Sequence, residues 1–333
     1  MIESINLVME SQNAIILDAF MKARSVLEQH NVACVSISGG SDSDVMLDLI
    51  ERVRDGTGCE IIYVWFDTGF EYAATKRHLT FLEEKYGIQI TRVKAEKSVP
   101  TCVRQYGQPF ISKYVSRQIS ALQKYGFNWR DDRYEELIEK YSGCQAAVKW
   151  WTNKWSGRER PGWYDIGHVP KLKEFMMMKT PWFPISDRCC HYSKKRVSKQ
   201  VNVKFGADVD IIGVRKAEGG VRAFSKTWNE SCYTEGDVAH YRPLFWFSDG
   251  DKSLYEQLFN IQHSECYRIW GFNRTGCAGC PFSKDVLQEI AVAEAYEPNI
   301  VKAARRMYRD SYIYTREYQE FKATGAWTGT YGN

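Results

Sequence analysis

Short, almost wholly apolar runs separated by helix-forming stretches constrain this chain more than any other feature. Val32-Ala33-Cys34-Val35-Ser36-Ile37 leads through Ser38-Gly39-Gly40-Ser41-Asp42-Ser43 into the amphipathic run at 45–50. Ile61-Ile62-Tyr63-Val64-Trp65-Phe66 leads through Asp67-Thr68-Gly69 into a helical pattern at 76–86 that Gly87 closes, and residues 88–93 form a third strand. Strands apolar on both faces, alternating with helices, predict a parallel sheet covered on both sides. A fourth run, Val209-Asp210-Ile211-Ile212-Gly213-Val214, returns only after a long interval. Residues 11–29 read as a leading helix with the stripe Ile15, Ile16, Ala19, Phe20, Ala23 and Val26. The expected fold is α/β: a doubly wound, mostly parallel, Rossmann-like sheet with a helical insertion and a helical C-terminal segment. Three regions are expected, at 1–100, 101–203 and 204–333.

Residues 38–43 form a small-residue turn between a strand and a helix. Helix-start N–H groups lack intrahelical partners and carry partial positive charge, and glycines allow an anion to come close. The loop therefore suits phosphate, most naturally a nucleotide pyrophosphate. It lacks the lysine and the longer glycine spacing of a Walker A loop. In a parallel sheet, ligands bind at the carboxyl ends of the strands, where this loop, Asp67-Thr68-Gly69 and Gly213-Val214-Arg215 are expected to converge.

Residues 101–203 differ in character. Trp129, Trp150, Trp151, Trp155, Trp163 and Trp182 interleave with Lys149, Lys154, Arg158, Arg160, Lys171, Lys173 and Lys179. One reading is a small satellite core with a solvated basic rim; the other is a surface at 149–179 that stacks bases and pairs phosphates of a nucleic acid. Phe175-Met176-Met177-Met178 suits core packing or an adaptable pocket. A net charge of +4 predicts neither nucleic-acid nor membrane binding by itself. No run approaches a membrane span and the first residues lack a signal-peptide pattern, so a cytoplasmic protein is expected.

Ten cysteines in such a chain are better read partly as ligands than as a disulfide framework. Arg188-Cys189-Cys190-His191-Tyr192-Ser193-Lys194-Lys195 and Gly276-Cys277-Ala278-Gly279-Cys280-Pro281 provide an adjacent pair and a Cys-x-x-Cys turn. Arg188, Lys194, Lys195 and Arg274 would offset thiolate charge. A 4Fe–4S cluster on Cys189, Cys190, Cys277 and Cys280 is the favoured reading, zinc suits the same thiolates, and simply buried thiols are the third.

These segments, in order, resemble the phosphoadenosine phosphosulfate (PAPS) reductase family within the adenosine-nucleotide alpha-hydrolase superfamily with a pyrophosphate-binding (PP) loop. The matching residues are Ser38 to Ser43, Phe66-Asp67-Thr68-Gly69-Phe70-Glu71, Cys189-Cys190 with Lys194, and Cys277 with Cys280. The paired cysteines resemble those of cluster-bearing adenylyl-sulfate (APS) reductases, which implies a 4Fe–4S cluster with Lys194 facing the sulfate or phosphates. Gly213-Val214-Arg215 and residues 218–222 resemble the family's Gly-x-Arg segment near the substrate anion.

Two departures shift the expectation from sulfonucleotide to ATP. The last cysteine is Cys280 and residues 326–333 contain no thiol, so the usual C-terminal nucleophile is missing. The loop is also closer to that of ATP pyrophosphatases. The expectation is an ATP-using enzyme: Gly39, Gly40, Ser41 and Ser43 hold the β- and γ-phosphates, with Mg²⁺ and Asp42 or Asp67 organising charge. Ser38, Thr68, Gly69, Gly213 and Arg215 complete the nucleotide site, and Asp42, Lys194 and Arg215 are the catalytic candidates. An acceptor oxygen attacks the α-phosphorus, pyrophosphate leaves, and a sulfur species displaces AMP. The alternatives are an APS or PAPS reductase with an external thiol or electron donor, and a non-catalytic nucleotide-sensing or nucleic-acid-binding subunit. Expected partners are an adenine nucleotide, a sulfur donor or electron-transfer protein, and a second copy of the chain. For Asp67, Ser43 and Arg215 the plain alternatives are a turn cap, a helix N-cap and a structural ion pair.

Overall fold

The computed structural model describes residues 2–157, 160–219 and 231–325. Arg158 of the insertion, Arg222 and the segment 326–333 lie outside the described residues. The chain divides into two compact units, Met1–Glu96 with Ser193–Cys277, and Lys97–Tyr192 with Ala278–Asn333.

The first unit holds a six-stranded sheet of β1 (Val32–Ser36), β2 (Glu60–Asp67), β3 (Ile90–Lys94), β4 (Val209–Ile212), β5 (Tyr233–Thr234) and β6 (Ala239–Tyr241). The strand order is β3-β2-β1-β4-β6-β5. All pairings are parallel except β5 with β6. Alternate side chains serve opposite faces, as a period of two demands. Ala33, Val35, Ile37, Tyr63, Trp65, Val209 and Ile211 join a core with the helices Ala14–Glu28, Ser41–Val53, Ala73–Tyr86 and Asp249–Leu258. Cys34 and Val64 point the other way, onto Val197 and Val201 of the helix Arg196–Phe205. The expected mostly parallel sheet, covered on both faces, is present.

The order reverses at β1, with β2 on one side and β4 on the other, which places the residue 38–43 loop at the topological switch point. The leading helix keeps its predicted stripe, with one correction. Ile16, Ala19, Phe20, Ala23 and Val26 are buried, whereas Ile15 is 40% exposed, being one residue off the buried face.

The second unit is helical, with the helices Val99–Tyr106, Lys113–Lys124, Tyr134–Lys140, Gln145–Trp151 and Leu172–Met178 joined by Val286–Ala293, Pro298–Met307 and Arg309–Thr324. Its core contains Trp129, Trp150, Trp151, Phe110, Phe175 and Tyr314. Tyr314, from the last helix, packs on Phe110 and Phe175 at ring separations of 4.9 Å each, and its hydroxyl donates to the Lys179 carbonyl at 2.6 Å. Of the run at 175–178, Phe175 and Met176 are buried and Met177 and Met178 exposed. Some of the basic rim serves the unit's own fold. Lys173 pairs with Asp131 and lies over the Trp151 ring, while Lys179 pairs with Glu317 and lies over Trp182. Trp155 and Trp182 are exposed. Among the described residues no helix is long and apolar enough to cross a membrane.

Candidate functional site

At the carboxyl end of β1 the chain turns at Gly39, whose φ is +69°. A Cβ there would lie 2.9 Å from Thr75 Cγ2, so the turn needs glycine for both conformation and space. Ser43 Oγ accepts the Ser38 N–H at 3.3 Å and donates to the Gly40 carbonyl at 2.9 Å. Ser43 therefore closes the loop on itself, while Gly40 is the N-cap of the helix Ser41–Val53 and provides no side-chain cap. The Gly40 N–H donates to Ser38 Oγ at 3.2 Å. The Ser41 N–H donates to the Tyr267 hydroxyl at 3.1 Å, which also accepts the Thr275 N–H at 3.1 Å. One phenolic oxygen thus sits between two backbone donors, one of them at the helix start.

Charge gathers on Asp42 in the first helical turn. Arg215 Nε donates to its Oδ1 at 3.0 Å, and the other arm of Arg215 reaches Asp249 at 2.8 Å. Burial opposes the Arg215 charge, but Asp249 and Asp42 outweigh it and raise the pKa. Lys252 Nζ donates to Ser41 Oγ at 2.6 Å and lies 3.1 Å from Asp42 Oδ1. Gly213, just beyond β4, passes so close to the helix start that a Cβ would meet the Asp42 carbonyl oxygen at 3.0 Å. The loop, Gly213 and Arg215 are therefore brought together, as the strand pattern predicts. Lys252 and Tyr267 are not foreseeable from local pattern, since they lie 211 and 226 residues from Ser41.

Beneath the loop, Asp44 is buried between His263 Nδ1 at 2.8 Å and His78 Nε2 at 3.0 Å. His263 Nε2 reaches Glu256 at 2.9 Å. Burial alone would lower the His263 pKa, but hydrogen bonds to Asp44 and Glu256 prevail and raise it from 6.5 to about 9. A raised pKa means that the charged form stabilises the fold fully below pH 6.5, and this contribution is lost as pH rises through about 9. Urea midpoints of the parent chain should fall over that window more steeply than those of His263→Gln. Parallel profiles would remove His263 as the cause.

At the end of β2, Asp67 Oδ1 accepts the Gly69 N–H at 2.9 Å, the turn-capping role its plain alternative describes. Glu71 accepts the Thr68 N–H at 2.9 Å, the Phe70 N–H at 3.1 Å and the Thr68 hydroxyl. Burial raises the Glu71 pKa, against the Thr68 hydrogen bonds and the Lys194 charge. Cys277 bridges to Glu71 as an antiparallel pair, and its Sγ lies 3.4 Å from Thr68 Oγ1. Thr68, Glu71 and Cys277 thus form one constellation, with the Lys194 charge acting on it.

In the second unit Cys189 is buried and Cys190 half-buried on the short helical turn Arg188–Cys190. Asp187, which precedes it, accepts Arg117 at 2.7 Å. The Cys-x-x-Cys turn is anchored where the Tyr312 hydroxyl donates to the Gly279 carbonyl, with Cys280 half-buried beside it. Cysteine thiolates suit an iron–sulfur cluster or zinc in donor chemistry. Among the described residues, however, no three His, Cys, Asp or Glu side chains converge as a metal site.

Residues 32–146, about a third of the chain, match the family model of the phosphoadenosine phosphosulfate reductase domain. An uncharacterized protein of Methanocaldococcus jannaschii is 32% identical over 120 residues, 34% of this chain and 24% of that protein. The chain thus spans about a quarter of the length of the curated relative it matches. Two solved structures are similar. A phosphoadenylyl-sulfate reductase from Candida auris, in a phosphate complex, has TM-score 0.39 and 10% identity over 74% of this chain and 80% of that one. The U34-tRNA thiolase NcsA from Methanococcus maripaludis, with its 4Fe–4S cluster, has TM-score 0.40 and 14% identity over 93% of this chain and 79% of that one.

Proposed function

Because residues 32–146 match the family model of the phosphoadenosine phosphosulfate reductase domain, we propose that the site around residues 38–43 binds ATP and releases pyrophosphate by adenylylating an acceptor. The observation that carries this reading is the glycine loop at the switch point of the sheet, with Arg215 and Lys252 meeting on its first helical turn. Gly39, Gly40, Ser41 and Ser43 hold the β- and γ-phosphates through backbone and hydroxyl donors, and Mg²⁺ accompanies the triphosphate. The acceptor oxygen forms a bond to the α-phosphorus, the bond from that phosphorus to the bridging oxygen breaks, and pyrophosphate leaves with the electron pair. The Arg215 guanidinium stabilises the charge that develops on the departing pyrophosphate. A sulfide-level nucleophile then displaces AMP from the acceptor.

The cysteines Cys189, Cys190, Cys277 and Cys280 are the proposed holders of a 4Fe–4S cluster, which when bound would supply sulfur or electrons. Lys194, whose charge reaches Glu71 beside Cys277, is the residue proposed to face the substrate anion. The match of residues 32–146 to a PAPS reductase domain favours a second reading, reduction of APS or PAPS by an external thiol or electron donor. One anaerobic experiment separates the two. The purified protein is incubated with ATP, APS or PAPS, pyrophosphate and sulfite are assayed, and iron and zinc are counted in the same sample. Pyrophosphate from ATP, with iron that Cys277→Ser depletes, is the expected result. Sulfite without pyrophosphate would overturn it in favour of reduction.

A further inference from the structure

We infer that Lys252 and Arg215 are the cation pair that receives the nucleotide's phosphate charge, and that Asp42 is their resting counterion rather than a catalytic group. This rests on the nucleotide reading above and names the residues that do the binding. Asp42 Oδ1 lies 3.0 Å from Arg215 Nε and 3.1 Å from Lys252 Nζ, the geometry with which a guanidinium and an ammonium hold a single anionic oxygen. Both cations are sheltered, with side-chain exposures of 9% for Arg215 and 14% for Lys252. Two partly desolvated cations at one point need a counterion, and Asp42 is the carboxylate they share.

Lys252 is also positioned for the task. It lies in the first turn of the helix Asp249–Leu258, whose capping box at Ser248 and Asp251 fixes the helix start. Asn13 donates to the Asp251 carboxylate at 2.7 Å, which ties that turn to the leading helix. From there Nζ reaches Ser41 Oγ at 2.6 Å, so the ammonium touches the phosphate loop itself. Glu256, one helical turn on, is 3.4 Å from the same ammonium, and His263 holds Glu256 at 2.9 Å.

An arriving phosphate oxygen and the Asp42 carboxylate compete for the same two cations. Like charges that close together are disfavoured, so Asp42 opposes binding until it turns aside or a cation neutralises it. This reverses the sign expected if Asp42 served as a Mg²⁺ ligand, because Asp42→Asn would then weaken Mg²⁺-dependent binding.

The test is calorimetric titration of the full chain with pyrophosphate, with EDTA present and then with Mg²⁺. Without Mg²⁺, Asp42→Asn should tighten binding by about threefold or more, and Lys252→Met should weaken it by about tenfold or more. Lys252→Arg should restore most of the loss, which a purely structural lysine would not require. The slope of log affinity against log salt should also fall in Lys252→Met. Asp42→Ser and Lys252→Gln serve as second variants if the first pair melts early. Weaker binding by both Asp42 variants, or an unchanged affinity in Lys252→Met, would overturn the inference while leaving the nucleotide reading in place. A parent chain that binds neither pyrophosphate nor ATP would overturn both.

Discussion

Gly39→Val should reduce affinity for pyrophosphate and ATP by about tenfold or more while most of the chain's stability survives. Gly39 has a φ of +69°, where a side chain costs roughly 1–2 kcal/mol and a β-branched one fits worst. The new Cβ would also press on Thr75 Cγ2 at 2.9 Å. The chain relieves both by moving φ to negative values, which re-aims the N–H groups of Gly40 and Ser41 that now reach Ser38 Oγ and the Tyr267 hydroxyl. Since each factor of ten in affinity corresponds to about 1.4 kcal/mol, the backbone strain alone accounts for much of the loss. Pyrophosphate titration alongside a thermal melt checks the prediction. Unchanged affinity in a folded variant would remove this loop as the phosphate site.

The second large effect concerns stability. Trp151→Ala should destabilise the helical unit by about 3–5 kcal/mol, the usual range for a buried aromatic cut to a methyl group. Trp151 is fully buried, packs edge-on against Phe127 and Trp129 at 5.5 and 5.7 Å, and donates its Nε1–H to the Arg130 carbonyl at 2.9 Å. The truncation leaves a cavity and strips that carbonyl of its donor. Trp155→Ala, at a side chain 41% exposed, should change stability by less than about 1 kcal/mol. Urea unfolding of the two variants gives the comparison. Equal losses would contradict the division between core and surface tryptophans.

The strands β1, β2 and β4 were legible because their buried centres, 33–35, 63–65 and 209–211, are apolar but for Asp210. The short strands β5 and β6, two and three residues long, carry no such signal, and polar Thr234 and His240 interrupt any pattern. The helix Ile2–Glu10 was equally hidden, since it buries only Ser4 and Val8 and so shows no apolar stripe. At the site, the loop was legible as a turn of small residues before a helix. The plain alternative for Ser43, a helix N-cap, falls to Gly40 instead, because sequence alone does not tell a cap from a residue that closes the loop from inside the first helical turn. Glu71 lies two residues past the Asp67-Thr68-Gly69 turn, yet only the fold reveals that its carboxylate receives the Thr68 and Phe70 N–H groups.

The sequence alone determined the parallel sheet and the glycine loop at the end of its first strand. These depend on local torsions and on apolar periodicity, which a chain carries residue by residue. Only the tertiary structure decided which charges stand on the loop: Arg215 and Lys252 meet Asp42, and His263 meets Asp44. It also decided that the last helix shares a core with the insertion, through Tyr314. Such contacts join segments far apart in sequence, and strand order and helix packing, rather than any local preference, select their partners.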